Sequence, residues 1–356
     1  MAYNGGDKLY ANTFTSNACL QLGDFAKSSN PPIGDPSAKE GCMKGASYVN
    51  VWMYVIHELE EAIEDCEKSV TPSTHWDEAL AFYTGSTTLF NSTSKDGMGY
   101  FTYSLAEKKC PLFGTCGVTG ADKAYYKSTA NKKIFSSFAD GSSYQRAGRC
   151  DTLKTTKEAL VKQFTVPLMQ GMMQYLYLSP TDNSEKSKAE LWSFAFALLP
   201  LIDLYDKNVA KLLRDNSYIR NAVTVPAGYV KVKAAVESVY PAIGITCTDV
   251  GGWKDKKTAS GYAPDMQPCV DSSTVATQGS TDGTRSAETN MSASAPIAIA
   301  LIVIVLAFCC FLVGLVGYCF KDKMPRSCTS CDTAPCVPKG DGGKQLFDTH
   351  TNTNQV

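Results

Sequence analysis

Tyr48 to Ser69 reads YVNVWMYVIHELEEAIEDCEKS. Val51, Val55, Leu59, Ala62 and Cys66 recur at steps of three and four, and the positions between them are mostly acidic. That is the period of one long amphipathic α-helix, since a strand would alternate at every second residue. Trp76–Phe90, Thr155–Leu178, Lys188–Asp215 and Tyr229–Tyr240 carry the same period, with Thr74 placed to N-cap the first of these and Pro226 to start the last. Strand alternation is not found, so the expected fold class is all-α. Gly-, Ser- and Cys-rich stretches at Thr93–Gly99, Cys110–Gly120 and Asp140–Cys150 read as the connections between helices.

A second stretch sets the topology. Ala295 to Phe320, APIAIALIVIVLAFCCFLVGLVGYCF, carries no charge and is long enough to cross about 30 Å of hydrocarbon at about 1.5 Å per residue. It reads as a transmembrane helix. Lys321, Lys323 and Arg326 follow at once, whereas Gln278–Ser294 holds one Arg among Ser, Thr, Gly and acid, so the C-terminus is expected in the cytoplasm and everything before Ala295 outside it. The opening MAYNGGDKLYANTFTSNACLQL has no apolar stretch of signal length, and the expected start lies upstream of Met1.

A cytosolic, tail-anchored arrangement would also lack a signal, and the cysteines argue against it. Of the 14 cysteines, eight precede the span: Cys19, Cys42, Cys66, Cys110, Cys116, Cys150, Cys247 and Cys269. Their even number and wide spacing suit four disulfides, which persist outside the reducing cytosol. Sequons at Asn91 and Asn290 fall on the same side and are the expected glycosylation sites. The layout is therefore a single-pass protein of the plasma membrane or another endomembrane-derived surface. Residues 1–270 form a helical ectodomain, 271–294 a flexible stalk rich in Ser, Thr and Gly, 295–320 the span and 321–356 a cytoplasmic tail.

Within the ectodomain, Glu78-Ala79-Leu80-Ala81-Phe82-Tyr83 matches Glu190-Leu191-Trp192-Ser193-Phe194-Ala195, each after an amphipathic helix and a polar link. With Cys42 ahead of one unit and Cys150 ahead of the other, this predicts a duplicated ectodomain with units at about residues 42–140 and 150–255.

Charge is balanced, 34 basic against 35 acidic residues, so there is no basic face for nucleic acid and any ion site must be local. No GxSxG, HExxH, GxxxxGK or strand–helix GxGxxG occurs, and there are only three histidines, His57, His75 and His350. The chain is not expected to be an enzyme. In the tail, Cys328-x-x-Cys331 with Cys336 is half a zinc site and equally a palmitoylation pattern, while Gly314 and Gly317 miss the four-residue spacing of close-packed membrane dimers.

Three ordered blocks, HWDEALAFYTGS (His75–Ser86), AELWSFAFALLPLIDLYDKNVAKLLRDN (Ala189–Asn216) and VESVYPAIGITCTDVGGW (Val236–Trp253), resemble the algal Fe-assimilating, or low-iron-inducible periplasmic, protein family over roughly residues 15–255. The resemblance implies a helical, extracytoplasmic protein induced under iron starvation that assists iron uptake, with an iron transporter, a reductase or an endocytic route as recipient. Leu191 and Trp192 stand where that family has smaller residues, and its better-known members are secreted, so the span would turn a diffusible protein into a tethered one.

The residues can be read for iron independently. Ferric iron is a hard cation that takes carboxylate and phenolate oxygen with occasional imidazole. Helical steps put His57, Glu61 and Glu64 on one face of the first helix, and Glu58, Glu61 and Asp65 on an overlapping one; a solvated acidic face opposite the apolar stripe is the alternative. Glu78 and Glu190, each just ahead of an apolar run in the two units, are a second candidate pair that would meet near a pseudo-twofold, with His75 and Asp77 as adjacent donors. First-turn glutamates are also favoured by the helix dipole without any ligand. A structural or adhesive surface glycoprotein without metal is the competing function.

Overall fold

The computed structural model describes residues 7–28, 32–70, 74–85, 101–255 and 257–271. In chain order it runs through α1 (Tyr10–Leu20), α2 (Asp35–Lys44), α3 (Val51–Glu67), α4 (His75–Thr84), α5 (Phe101–Phe113) and α6 (Thr129–Arg146). Then come α7 (Cys150–Asp182), α8 (Glu185–Tyr205), α9 (Lys207–Ser217), α10 (Tyr229–Ser238) and the single turns α11 (Tyr240–Ile243) and α12 (Cys247–Val250). Among the described residues there is no strand beyond two isolated bridges. The all-α, disulfide-stabilised class follows.

α7 and α8 are the centre of the packing. From Phe164 to Gln174 every residue of α7 is buried, and α8 buries most of Ala189–Ile202. A helix apolar all round belongs in a core rather than on its surface. α6 lies along α7, α2 and α9 along α8, and α3 against α4. Gly171 lets Phe194 of α8 pack against the α7 backbone, since a Cβ there would stand 2.7 Å from the Phe194 ring. In α8, Pro200 has no N–H to offer the carbonyl of Phe196, and the Tyr10 hydroxyl donates to that oxygen instead at 2.8 Å. α1 is thereby fixed to α8, with the Tyr10 and Phe196 rings stacked at 4.0 Å.

All eight cysteines among the described residues pair, as Cys19–Cys42, Cys66–Cys150, Cys110–Cys116 and Cys247–Cys269. The first joins α1 to α2, and the second ties the end of α3 to the start of α7. The two repeat-like ranges share one hydrophobic core, and their leading cysteines have unlike partners, Cys42 with Cys19 and Cys150 with Cys66.

Several boundaries differ from the sequence expectations. Lys188–Asp215 is two helices, because the Asp206 backbone is extended and its carboxylate accepts from the Asn208 and Val209 N–H groups, capping α9. Cys110–Gly120 and Asp140–Cys150 are not simply connections: α5 continues to Phe113 and α6 to Arg146. Gly141 sits within α6 because the Trp76 indole occupies the space a Cβ would need. Thr74 makes no side-chain cap, whereas α10 starts at Tyr229 as its period predicts, three residues after Pro226 and directly after Gly228 at φ 84°. Asp271 is no part of a free stalk, since its carboxylate accepts from the Cys247 N–H at 2.8 Å and the Thr248 hydroxyl at 3.2 Å.

Among the described residues no helix is long and apolar enough to cross a membrane. The expected span at 295–320, the rest of the stalk, the tail and the sequons at Asn91 and Asn290 lie outside those residues.

Candidate metal centre

The packing of α4 on α3 brings acidic side chains and an imidazole together. Glu58, on the side of α3 covered by α4, is buried to 3% side-chain exposure. An isolated carboxylate there would be costly, and it is held by partners. His75, the first residue of α4, donates from Nδ1 to Glu58 Oε2 at 2.7 Å, and Tyr54, one turn earlier on α3, also hydrogen-bonds to Glu58. Glu78, one turn along α4, places Oε2 3.9 Å from the same ring nitrogen, and Asp65 Oδ2 is 3.8 Å from Nε2.

Glu58, His75 and Glu78 can each turn one ligand atom into a space where these atoms lie within 4.8 Å of one another. Ligands bonded to a metal at about 2.1 Å sit at most about 4.2 Å apart, so a shift of under about 1 Å closes the set. Glu78, with its side chain 48% exposed, is free to supply that shift. Two carboxylates and an imidazole are a donor set open to several transition metals, iron, zinc and manganese among them.

Electrostatics favour the charged pair. Burial works against the Glu58 carboxylate, but the bonds from Tyr54 and His75 outweigh it and hold its pKa below 4.5. The hydrogen bond to Glu58 raises His75 above 6.5, opposed by burial and assisted by the negative charge of Glu58, Asp65 and Glu78. The raised imidazole stabilises the fold fully below pH 6.5 and loses that contribution as pH rises through its folded value. The lowered carboxylate contributes above pH 4.5 and loses its part as pH falls through its own. Both terms are present between those limits. In metal-free buffer, the Tm difference between wild type and His75→Gln is therefore expected to be largest near pH 4.5–6.5 and to shrink towards pH 9. A difference independent of pH would show that the pair is not ionic.

The expected sites are distributed differently. His57 and Glu61 stay on the outer side of α3, 3.8 Å apart, and Glu64 pairs with Lys68 at 3.0 Å, both side chains more than half exposed. That face is solvated because α4 covers the neighbouring one. Glu78 and Glu190 do not share a site. Glu190, 5% exposed, lies within α8 beside Lys44 at 3.7 Å and Lys186 at 3.9 Å, and both lysines also approach Glu40, at 3.8 and 3.7 Å. Tyr175 bonds to Glu190. Two lysines already neutralise these two carboxylates, and Lys109 is buried nearby, its amine pulled down to about 8 by burial against the attraction of Glu190. This is a charge-compensated core network, not an open cation site.

Of the donors read from the sequence, Glu58 on the overlapping face of α3 and His75 beside Glu78 are brought together, whereas His57 and Glu61 are not part of that group. The signals were the seven-residue spacing of Glu58 and Asp65 and the three-residue spacing of His75 and Glu78, each putting two donors on one helix face. No protein-family model, curated protein or solved structure matches the chain.

Proposed function

We propose that this chain is a membrane-tethered, extracytoplasmic protein that captures iron at the cell surface and passes it to an uptake partner, a transporter, a reductase or an endocytic route. The observation that carries the reading is the convergence of Glu58, His75 and Glu78 between α3 and α4. The half-exposed Glu78 keeps the group open to solvent, as a site that must load and unload requires. Four disulfides support a location outside the reducing cytosol. The family resemblance supplies iron as the metal. Binding would displace the proton on His75, so capture weakens as pH falls.

A second reading rests on the short Glu58–His75 bond, which by itself is a sufficient structural tie between α3 and α4. In that case the protein is a structural or adhesive surface glycoprotein. Titration with ferrous and ferric iron separates the two. One equivalent is expected to bind with Kd below about 1 μM, and Glu58→Gln or Glu78→Gln to weaken it at least about tenfold, near 1.4 kcal/mol. Glu190→Gln, His57→Gln, Glu61→Gln and Glu64→Gln leave affinity unchanged. Wild-type protein that binds no iron, or Glu58 and Glu78 variants that bind it equally well, would leave the structural reading in its place.

A further inference from the structure

An open cleft of about 590 Å³, walled by Trp52 and Tyr54 of α3, Tyr10 of α1, and Pro200 and Leu201 of α8, meets the metal group through Tyr54, which lines the cleft and bonds to Glu58. Its size and its apolar walls with a few polar groups are those of a small-molecule site, for which about 300–1,000 Å³ is usual. The wall is preformed. Tyr10 is locked to the Phe196 carbonyl that Pro200 leaves without an intrahelical donor, and α1 is bridged to α2 by Cys19–Cys42.

Tyr54 belongs to both places. Its ring lines the cleft and packs on Phe82 of α4 at 4.6 Å, and its hydroxyl is bonded to Glu58. The Tyr54 ring therefore stands between the cleft and the Glu58 carboxylate, one side chain from the metal group. Lys8 lines the cleft as a cation and Asp7 as an anion, the latter accepting from the Leu9 N–H at 2.8 Å, and His57 lines it as well. Glu58, His75 and Glu78 offer one ligand atom each. Three protein donors leave coordination positions open on iron, as in other sites with a three-residue set.

We propose that the protein takes iron as a ternary complex: an aromatic hydroxy-acid or catechol chelator lies in the cleft against Trp52 and Tyr54, with its donor oxygens completing the coordination of ferric iron held by Glu58, His75 and Glu78. The apolar walls take the ring, Lys8 balances the anionic group, and the chelator oxygens fill the positions the protein leaves open. The inference rests on the iron reading above and names the form in which iron arrives.

The test titrates the full chain with 2,3-dihydroxybenzoate alone, with ferric iron alone and with their equimolar mixture, following tryptophan fluorescence and the ferric catecholate colour. The mixture is expected to bind at least about tenfold tighter than either component. Lys8→Glu and Asn12→Phe, both at exposed positions lining the cleft, should remove that gain and leave ferric iron alone unchanged. Glu78→Gln should weaken ferric iron and the mixture while the chelator alone binds as before. A mixture that binds no tighter than iron alone, or cleft variants that bind it like wild type, overturns the ternary complex and leaves the iron reading standing. Wild-type protein that fails to bind ferric iron alone removes that reading, and this one with it.

Discussion

Replacing Cys66 and Cys150 together by alanine is expected to lower the unfolding free energy by about 4–5 kcal/mol, against about 2 kcal/mol for Cys110 and Cys116. The difference comes from the chain between the partners, a sequence separation of 84 in one case and 6 in the other. A cross-link restricts the unfolded ensemble more as the loop it closes lengthens, with a logarithmic dependence. Cys66 is also buried at the end of α3, so alanine there adds a small packing loss to the entropic one. A loss of this size corresponds to a fall in Tm on the order of 10 °C for a domain of this length. Denaturant titration of both double variants is the check. Equal losses for the two pairs would mean that the unfolded chain already holds α3 near α7 without the bond.

That bond also shows why the helices were legible in the sequence while their arrangement was not. α3 was readable because one side of it is buried and the other wet, so Val55, Leu59 and Ala62 stand out against acid. α7 and α8 are buried on nearly every side through their middles, which makes their helical nature plain and their ends obscure. Asp206 divided the Lys188–Asp215 pattern without interrupting its apolar period, because an N-cap is one side chain in a polar gap. The Gly- and Ser-rich composition of Asp140–Cys150 reads as a connection, yet Gly141 within it is there to admit Trp76 from α4. A residue chosen by a neighbour distant in sequence carries no local signature.

The same reasoning explains the site. Periodicity along α3 separates its faces correctly but does not say which acidic face a second helix will cover. α4 covers the one with Glu58, and this turned a surface acid into a buried, bonded one while leaving His57, Glu61 and Glu64 in water. Glu78 was legible as a first-turn carboxylate, and its supposed counterpart Glu190 was not distinguishable from it in a six-residue match. Their neighbours separate them: His75 three residues before Glu78, and Lys186 four residues before Glu190.

Glu107→Ala is expected to cost about 3–5 kcal/mol, because it takes the acceptor away from three neutral donors at about 1–3 kcal/mol each, less what relaxation recovers. The Glu107 carboxylate is 5% exposed and accepts from the Lys127 N–H at 2.9 Å, the Ser128 N–H at 3.1 Å and Asn131 Nδ2 at 2.7 Å. Ser128 is the N-cap of α6 and does not cap with its own side chain, so α5 supplies an anion to that helix terminus through Glu107. Asn131 in turn accepts from the Tyr83 hydroxyl, which carries the network into α4. Alanine would strand the buried Ser128 and Asn131 donors and the part-buried Lys127 N–H, each costing up to about 1–3 kcal/mol, with part of the sum recovered by relaxation and by water at Lys127. Glu107→Gln keeps the shape and one acceptor oxygen, so a smaller loss of about 1–3 kcal/mol is expected. Amide hydrogen exchange at Lys127 and Ser128 should quicken in both variants, and iron affinity should change in neither. An alanine variant within about 1 kcal/mol of wild type would mean that water reaches these donors and that the α5–α6 junction is looser than its hydrogen bonds imply.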